Sequence, residues 1–266
     1  MSKRILELAL LLGGATLLGM GTQACATSTQ KQPAVGVDAQ AARDQFHDAK
    51  RCFELGLQIE ATANVNQICK SLGPHAAQDK RCSSEKAAMR SKRIIDAQKE
   101  QASCSADPIV LERNFHTAMV TAAKAGDIDA EVCYIGGWSP LDPKERNAYT
   151  RNAQAYISKG MARGDWRVVE LMSRSTADGG AGVMINLPNF GSHFTTYRFN
   201  RLLQLGATGD FANIARVDAD NEAHFLTRAQ VVNGNERARE EYRKHFADSP
   251  KLTAAPTPCL SNGSDE

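Results

Sequence analysis

Side chains able to do chemistry are spread along this 266-residue chain without the spacing of known catalytic or metal-binding motifs. The six histidines are His47, His75, His116, His193, His224 and His245. None belongs to a His-x-x-x-His pair, which is the helical spacing of two metal ligands. The motif Gly-x-Ser-x-Gly does not occur, and the adjacent Ser192 and His193 do not suit a nucleophile and its base. We therefore predict no catalytic residue, no metal site and no cofactor.

Two other patterns have both a chemical and a structural interpretation. Asp218, Asp220 and Glu222 resemble the start of a calcium loop, but the alternating spacing stops there, and we interpret them as helix-capping residues. The glycine cluster from Gly179 to Gly182 could cradle a phosphate before a helix. No Lys-Ser or Lys-Thr follows it, so we interpret this cluster as a loop between helices.

The chain has seven cysteines, and the first of them, Cys25, lies at the end of an N-terminal apolar segment. The other six are candidates for disulfide bonds: Cys52, Cys69, Cys82, Cys104, Cys133 and Cys259. An even number is what three disulfides in an oxidising compartment would require. The alternative is that they are reduced and act as small core residues. A zinc site is disfavoured because no Cys-x-x-Cys pair occurs.

A long helix limits how these cysteines can pair. The stretch from Ser83 to Ala102 has no Pro or Gly and is rich in Lys, Arg, Glu and Ala, so it predicts one helix of roughly 30 Å. Cys82 and Cys104 lie at its opposite ends, whereas a disulfide needs Cα atoms within about 7 Å. We expect each of them to bond elsewhere, with Cys52 and Cys69 as the favoured partners.

The N-terminus resembles a bacterial secretory signal. A basic start at Lys3 and Arg4 precedes an apolar run from Ile5 to Met20, which is short for a membrane span. We predict a signal peptide over residues 1–25. Cleavage could follow Ala26, leaving a soluble periplasmic protein, or Cys25 could become the lipidated first residue of an outer-membrane lipoprotein. The polar stretch that follows, 26–37, would then be a tether.

Charge restricts the class of partner. The formal net charge is only +2 and both signs are mixed along the chain. Such a surface, in an exported protein, argues against nucleic-acid binding. We expect an envelope protein of unknown identity as partner, and contact with a membrane only through a lipid on Cys25.

The elements that would position these residues are helices joined by a recurring dipeptide. Gly-Asp occurs at Gly126-Asp127, Gly164-Asp165 and Gly209-Asp210, each time between two stretches with apolar residues at helical spacing. Glycine readily takes the left-handed conformation that ends a helix, and aspartate caps the first free N–H groups of the next one. Each dipeptide therefore predicts a tight antiparallel helix hairpin.

These hairpins resemble the Sel1-like repeat, a relative of the tetratricopeptide repeat. The successive aspartates are 38 and 45 residues apart, in or near the range of helical-pair repeats. The segment from Ala122 to Ala130 is similar to the turn of that family, and Gly180-Ala181-Gly182-Val183 to its loop. The usual Leu-Gly-x-x-Tyr element is missing, so the chain would be a divergent relative. The resemblance implies a protein-binding α-solenoid without catalysis of its own.

The predicted fold is all-α, with a short α-solenoid behind a cysteine-rich helical N-terminal cap. The cap would span 38–107 and hold a helix over 38–63, a shorter one ended by Gly73-Pro74, and the long helix described above. The repeat region would span 108–247. We further expect a helix from Asn221 to Val232 stopped by Asn233-Gly234, a charged helix from Glu236 to Phe246, and a mobile tail over 248–266. Residues Val183 to Leu187 are the best, weak strand signal.

The function predicted from these features is that of an exported cell-envelope scaffold or adaptor that binds a protein. Contacts would come from the concave surface lined by the first helix of each pair, with Trp166 as a further aromatic anchor. The candidate contact residues are Arg113, His116, Arg151, Trp166, Arg198 and Arg201. One alternative is an envelope hydrolase, or its accessory, acting on peptidoglycan, which would need converging carboxylates or a polarised histidine in a cleft. A weaker alternative is a periplasmic carrier of a small ligand.

Overall fold

The computed structural model describes residues 37–137, 143–174 and 192–260, and within these ranges the chain is helical. Nine α-helices follow one another in the described part: α1 Val37–Ser71, α2 Ser84–Glu100, α3 Pro108–Lys124, α4 Ile128–Gly137, α5 Pro143–Ala162, α6 Trp166–Ser173, α7 His193–Gly206, α8 Gly209–Ala223 and α9 Arg228–Glu241. The all-α prediction is confirmed. The signal peptide, residues 26–36 of the tether, the Gly179–Gly182 loop and the strand signal Val183–Leu187 lie outside these ranges.

Helix α1 is one element of 35 residues where we expected two. The expected break after Ala63 does not occur, because no Gly or Pro interrupts the chain between Gly56 and Gly73. The helix ends at Ser71, and Gly73 follows with a φ of +51°. Its apolar side packs on α3, where the Phe53 and Phe115 rings stack with centroids 4.9 Å apart.

Two disulfides fasten α2 to α1 at both of its ends. Cys69 bonds to Cys82 just before α2, and Cys52 bonds to Cys104 just after it. The 17 residues of α2 separate Cys82 from Cys104, so these two cysteines bond to α1 and not to each other, as the helix length predicted. A third disulfide joins Cys133 of α4 to Cys259. Three disulfides indicate that the protein folds in an oxidising compartment of the exported kind.

The first two Gly-Asp joints have the predicted construction. Gly126 and Gly164 have φ values of +89° and +70°, the left-handed region that favours glycine. Asp127 Oδ1 accepts the backbone N–H of Ala130 at 2.8 Å, and Asp165 Oδ1 accepts that of Arg167 at 3.1 Å. Each dipeptide ends one helix and caps the next, forming the hairpins α3–α4 and α5–α6.

The third Gly-Asp joint connects α7 to α8 and has the predicted left-handed glycine, since Gly209 has a φ of +59°, but the predicted cap by Asp210 is absent. Helix α7 ends at Gly206, and Gly209 is already the first residue of α8, with Asp210 inside its first turn. The linking residues pair with the C-terminal segment, because Leu252 donates to the Gly206 carbonyl at 3.0 Å and its own carbonyl accepts from Thr208 at 2.8 Å. A long-range backbone contact has replaced the local cap.

The end of the helical region also differs from the prediction of a helix from Asn221 to Val232. Helix α8 stops at Ala223, and α9 starts at Arg228 behind a capping box in which Thr227 and Gln230 bond to each other's backbone N–H groups. Asn233-Gly234 is no stop, because Gly234 is buried inside α9. A Cβ atom there would lie 2.7 Å from the Tyr197 ring of α7, so this glycine lets two helices pack closely. The expected charged helix to Phe246 becomes the end of α9 and a π-helical turn, Tyr242–Phe246.

One continuous apolar core runs through the described helices other than α2, from Phe46 of α1 to Phe246 after α9. Residues 248–260, which we expected to be mobile, are held against it. Leu252, Cys259 and Leu260 pack on the core, in addition to the Leu252 bridge and the Cys133 disulfide. Among the described helices, none has the length and apolar character needed to cross a membrane.

Candidate functional site

The six predicted contact residues do not form a single surface. Arg113 of α3 and Arg151 of α5 are exposed. His116 is half-buried, with its Nε2 3.7 Å from a Glu112 carboxylate oxygen, and burial lowers its pKa. Trp166 belongs to the core, where its ring packs on Phe246 with centroids 4.4 Å apart. It therefore stabilises the fold and presents no anchor to solvent.

The two predicted arginines of α7 have separate environments. Arg201 Nε donates to Asn235 Oδ1 at 2.8 Å, and the Tyr197 hydroxyl donates to the same oxygen at 3.0 Å, so Arg201 ties α7 to α9. Arg198 instead opens on a cleft bounded by α5, α6, α7 and α9, of about 660 Å³, which we call the Arg198 cleft. Of the six predicted residues, Arg198 is therefore the one whose surroundings suit the binding of a partner group.

Helical spacing determines which charged side chains line the Arg198 cleft. Phe194 and Arg198 are four residues apart on α7, and Arg237 and Glu241 are four apart on α9, so each pair shares one side of its helix. The close packing at Gly234 brings the two helices together. As a result the Arg237 guanidinium lies 5.9 Å from the centre of the Phe194 ring. His245, in the turn after α9, completes the rim.

The guanidinium of Arg198 is not neutralised by contact. Its Nε atom is buried and has no hydrogen-bond partner among the described residues, and its Cζ lies 4.4 Å from the centre of the Phe199 ring. Burial lowers the pKa of Arg198, the positive charge of Arg237 lowers it further, and Glu241 opposes both effects. Within the described ranges no carboxylate comes within ion-pair distance of Arg198, so this half-buried cation has no counter-ion in contact with it there.

Carboxylates gather in a second cleft on the other side of α7, bounded by α6, α8 and the C-terminal segment, of about 710 Å³. We call it the Glu170 cleft. Glu170 is 3% exposed and bonds to Arg174, and burial raises its pKa. Burial also raises the pKa of Asp218. At the edge, His193 Nδ1 lies 2.7 Å from a Glu222 carboxylate oxygen.

The capping interpretation of Asp218, Asp220 and Glu222 is wrong. These residues belong to the last turns of α8, so they cannot cap its N-terminus. Asp218 and Glu222, four residues apart, both line the Glu170 cleft, while Asp220 points away and pairs with Arg216 at 2.8 Å. In the described part of the chain no three potential ligands are placed to hold a metal ion.

Sequence reasoning did not find Glu170, Arg237 or Glu241. Glu170 stands in an apolar helix, Trp166-Arg167-Val168-Val169-Glu170, where a single carboxylate could have marked a buried charge. Arg237 and Glu241 lie in a run of charged residues whose local pattern resembles a solvated helix face. Only the packing of α9 on α7 distinguishes them from their neighbours.

No protein-family model, no curated protein and no solved structure matches the chain.

Proposed function

We propose that this protein is an exported cell-envelope adaptor that binds a protein partner through the side bearing the Arg198 cleft. The cleft lies between α5 and α7, the first helices of two hairpins, and α9. This is the side on which helical-repeat proteins carry their partners. The observation that carries the proposal is Arg198, a half-buried guanidinium that has no counter-ion in contact with it among the described residues and faces an open cleft.

The architecture we propose is a short, divergent α-solenoid of the Sel1-like type behind the disulfide-bonded cap. The similar construction of the Gly126-Asp127 and Gly164-Asp165 joints supports it, as does the unbroken core. The third hairpin departs from the pattern at its joint, which suits an end repeat closed by the C-terminal segment.

For the compartment, we propose export by the N-terminal signal and lipid attachment at Cys25, in the periplasm or at the outer membrane. The three disulfides support export. Globomycin treatment of producing cells, followed by mass spectrometry of the N-terminus, tests the lipid. We expect an unprocessed precursor to accumulate and a diacylglyceryl mass on Cys25. A mature N-terminus at Thr27 that is unaffected by the drug would contradict lipidation.

A pull-down from envelope extract tests the adaptor function. The immobilised protein should retain a partner that is lost, by roughly tenfold or more, when Arg198→Gln removes the buried charge. Arg228→Gln, at the exposed start of α9, removes the same charge outside the cleft and should retain the partner. If the wild type, Arg198→Gln and Arg228→Gln recover equal amounts of the partner, the partner does not bind through the Arg198 cleft.

A second candidate, the peptidoglycan hydrolase, is favoured by the Glu170 cleft. A buried carboxyl with a raised pKa can act as a general acid, and Asp218 is a second carboxyl close enough to raise that pKa further. Purified protein would then release soluble fragments from isolated sacculi, and Glu170→Gln would abolish the release. If the wild type and Glu170→Gln release equal amounts, the hydrolase candidate is eliminated.

A further inference from the structure

We infer that the Arg198 cleft recognises a free carboxylate next to an apolar side chain, as at the C-terminus of a peptide. The inference rests on the proposed adaptor function and specifies the chemical group of the partner that enters the cleft.

The positive charges that line the Arg198 cleft favour the binding of an anion. Arg198 and Arg237 both line it, their charges repel each other, and among the lining residues that the structure describes the single carboxylate is that of Glu241. Glu241 acts on Arg198 through space and not through an ion pair of the described residues. A bound anion would accept hydrogen bonds from the guanidinium N–H groups that face the cleft and relieve the repulsion between the two guanidinium groups.

The shape of a guanidinium favours a carboxylate among anions. Its planar fork presents parallel N–H groups to two oxygens at once, which a carboxylate matches. Arg198 is half-buried and rests on the Phe199 ring, so its plane is already restricted before a ligand arrives. Less conformational entropy is then lost on binding than with a flexible surface arginine.

An apolar wall beside the charges argues for more than a small anion. Ile157, Met161, Met172 and Phe194 line the same cleft as Arg198. Methionine side chains adapt to apolar groups of varied shape. The volume of about 660 Å³ falls within the range of sites that enclose small organic ligands. A terminal residue would place its carboxylate at the arginines and its side chain against this wall.

Calorimetric titration of the purified, disulfide-bonded protein tests the inference with three probes. These are the peptide acetyl-Gly-Ala-Leu with a free C-terminal carboxylate, the same peptide as its C-terminal amide, and inorganic phosphate. We expect the acid to bind, the amide to bind about tenfold more weakly or worse, and phosphate to bind more weakly than the acid because it does not use the apolar wall. Acid and amide binding equally, phosphate binding more tightly than the acid, or no binding of the acid would each overturn the inference.

Variants locate the binding and separate this inference from the adaptor proposal. Arg198→Gln and, at the exposed rim, Arg237→Gln should each weaken acid binding roughly tenfold, whereas Arg228→Gln should not change it. The rim variant keeps the test valid if Arg198→Gln fails to fold. Loss of the envelope partner in Arg198→Gln with no binding of the acid peptide contradicts the carboxylate inference alone. Peptide binding that depends on Arg198, with partner capture that does not, contradicts the adaptor proposal and leaves the carboxylate site.

Discussion

At the scale of single residues, burial decides the properties of the charged side chains. Glu131 of α4 is 1% exposed, yet it is satisfied on both carboxylate oxygens, by Lys159 at 3.0 Å and Arg163 at 2.8 Å. Arg198 is half-buried, and its buried Nε atom has no such partner among the described residues. The first arrangement locks α4 to α5, and the second leaves a charge available to a ligand.

Glu170 should make the stability of the protein depend on pH. Its pKa in the folded state is raised by burial above the ordinary value of 4.5, so folding favours the protonated carboxyl. The associated stability is present below that ordinary value and is lost as the pH rises through the folded pKa. Glu170→Gln stays neutral, so the melting temperature of the wild type should fall relative to that of the variant between pH 4 and pH 8.

Differential scanning calorimetry at several pH values measures this difference. Glu236→Gln on the exposed side of α9 is the control for removing one carboxylate. The difference between its melting temperature and that of the wild type should change less with pH. A wild-type melting temperature that rises relative to Glu170→Gln with increasing pH would contradict the sign that burial predicts.

At the scale of elements, the Gly126-Asp127 and Gly164-Asp165 joints allow the cost of a left-handed backbone to be distinguished from the cost of a steric clash. A Cβ atom at Gly126 would meet nothing within 4 Å, whereas one at Gly164 would lie 2.4 Å from the His245 carbonyl oxygen. Gly126→Ala should therefore cost only the left-handed conformation, about 1–2 kcal/mol. Gly164→Ala should cost more, because the backbone after α9 must also move.

Guanidinium chloride unfolding of the two variants and the wild type checks this order. The opposite order, or equal costs, would show that the turn at Gly164 does not stay packed against His245 in solution. Because both substitutions change glycine to alanine at a positive φ, each serves as the control for the other.

The sequence allowed the helices, two complete joints and the left-handed glycine of the third joint to be predicted, because their signals are local. Gly126-Asp127 and Gly164-Asp165 contain both the terminator and the cap. At Gly209-Asp210 the same dipeptide is overridden by the pairing of residues 206–208 with Leu252, more than forty positions away. Arg198 was found from its place on a first helix, but the cleft around it was not, since it depends on how α9 packs on α7.

At the scale of the whole molecule, the disulfides should contribute unequally. Cys133 and Cys259 are 126 residues apart, whereas Cys69 and Cys82 are 13 apart. In the chain-entropy account, closing a loop of about 100 residues stabilises by about 4.7 kcal/mol and one of about 15 residues by about 3 kcal/mol. Replacing Cys133 and Cys259 by serine should therefore lower the free energy of unfolding more than replacing Cys69 and Cys82.

Chemical denaturation under non-reducing conditions measures both double variants against the wild type. The Cys133–Cys259 variant also frees the segment around Leu252 from its covalent link, which should lower the free energy of unfolding further. An equal or larger loss on removing the Cys69–Cys82 bond would show that local geometry outweighs loop length here.

The two disulfides with the largest sequence separations determine how the protein would carry mechanical load. Force applied along the chain passes through the sulfur atoms at Cys52–Cys104 and Cys133–Cys259, whose sequence separations are 52 and 126 residues. The chain inside those loops bears no tension while the bonds are intact. At roughly 3.4 Å per residue, reduction would release about 600 Å of additional extension. A protein tethered at one end in the envelope would thus be a short, stiff link when oxidised and a long, compliant one when reduced.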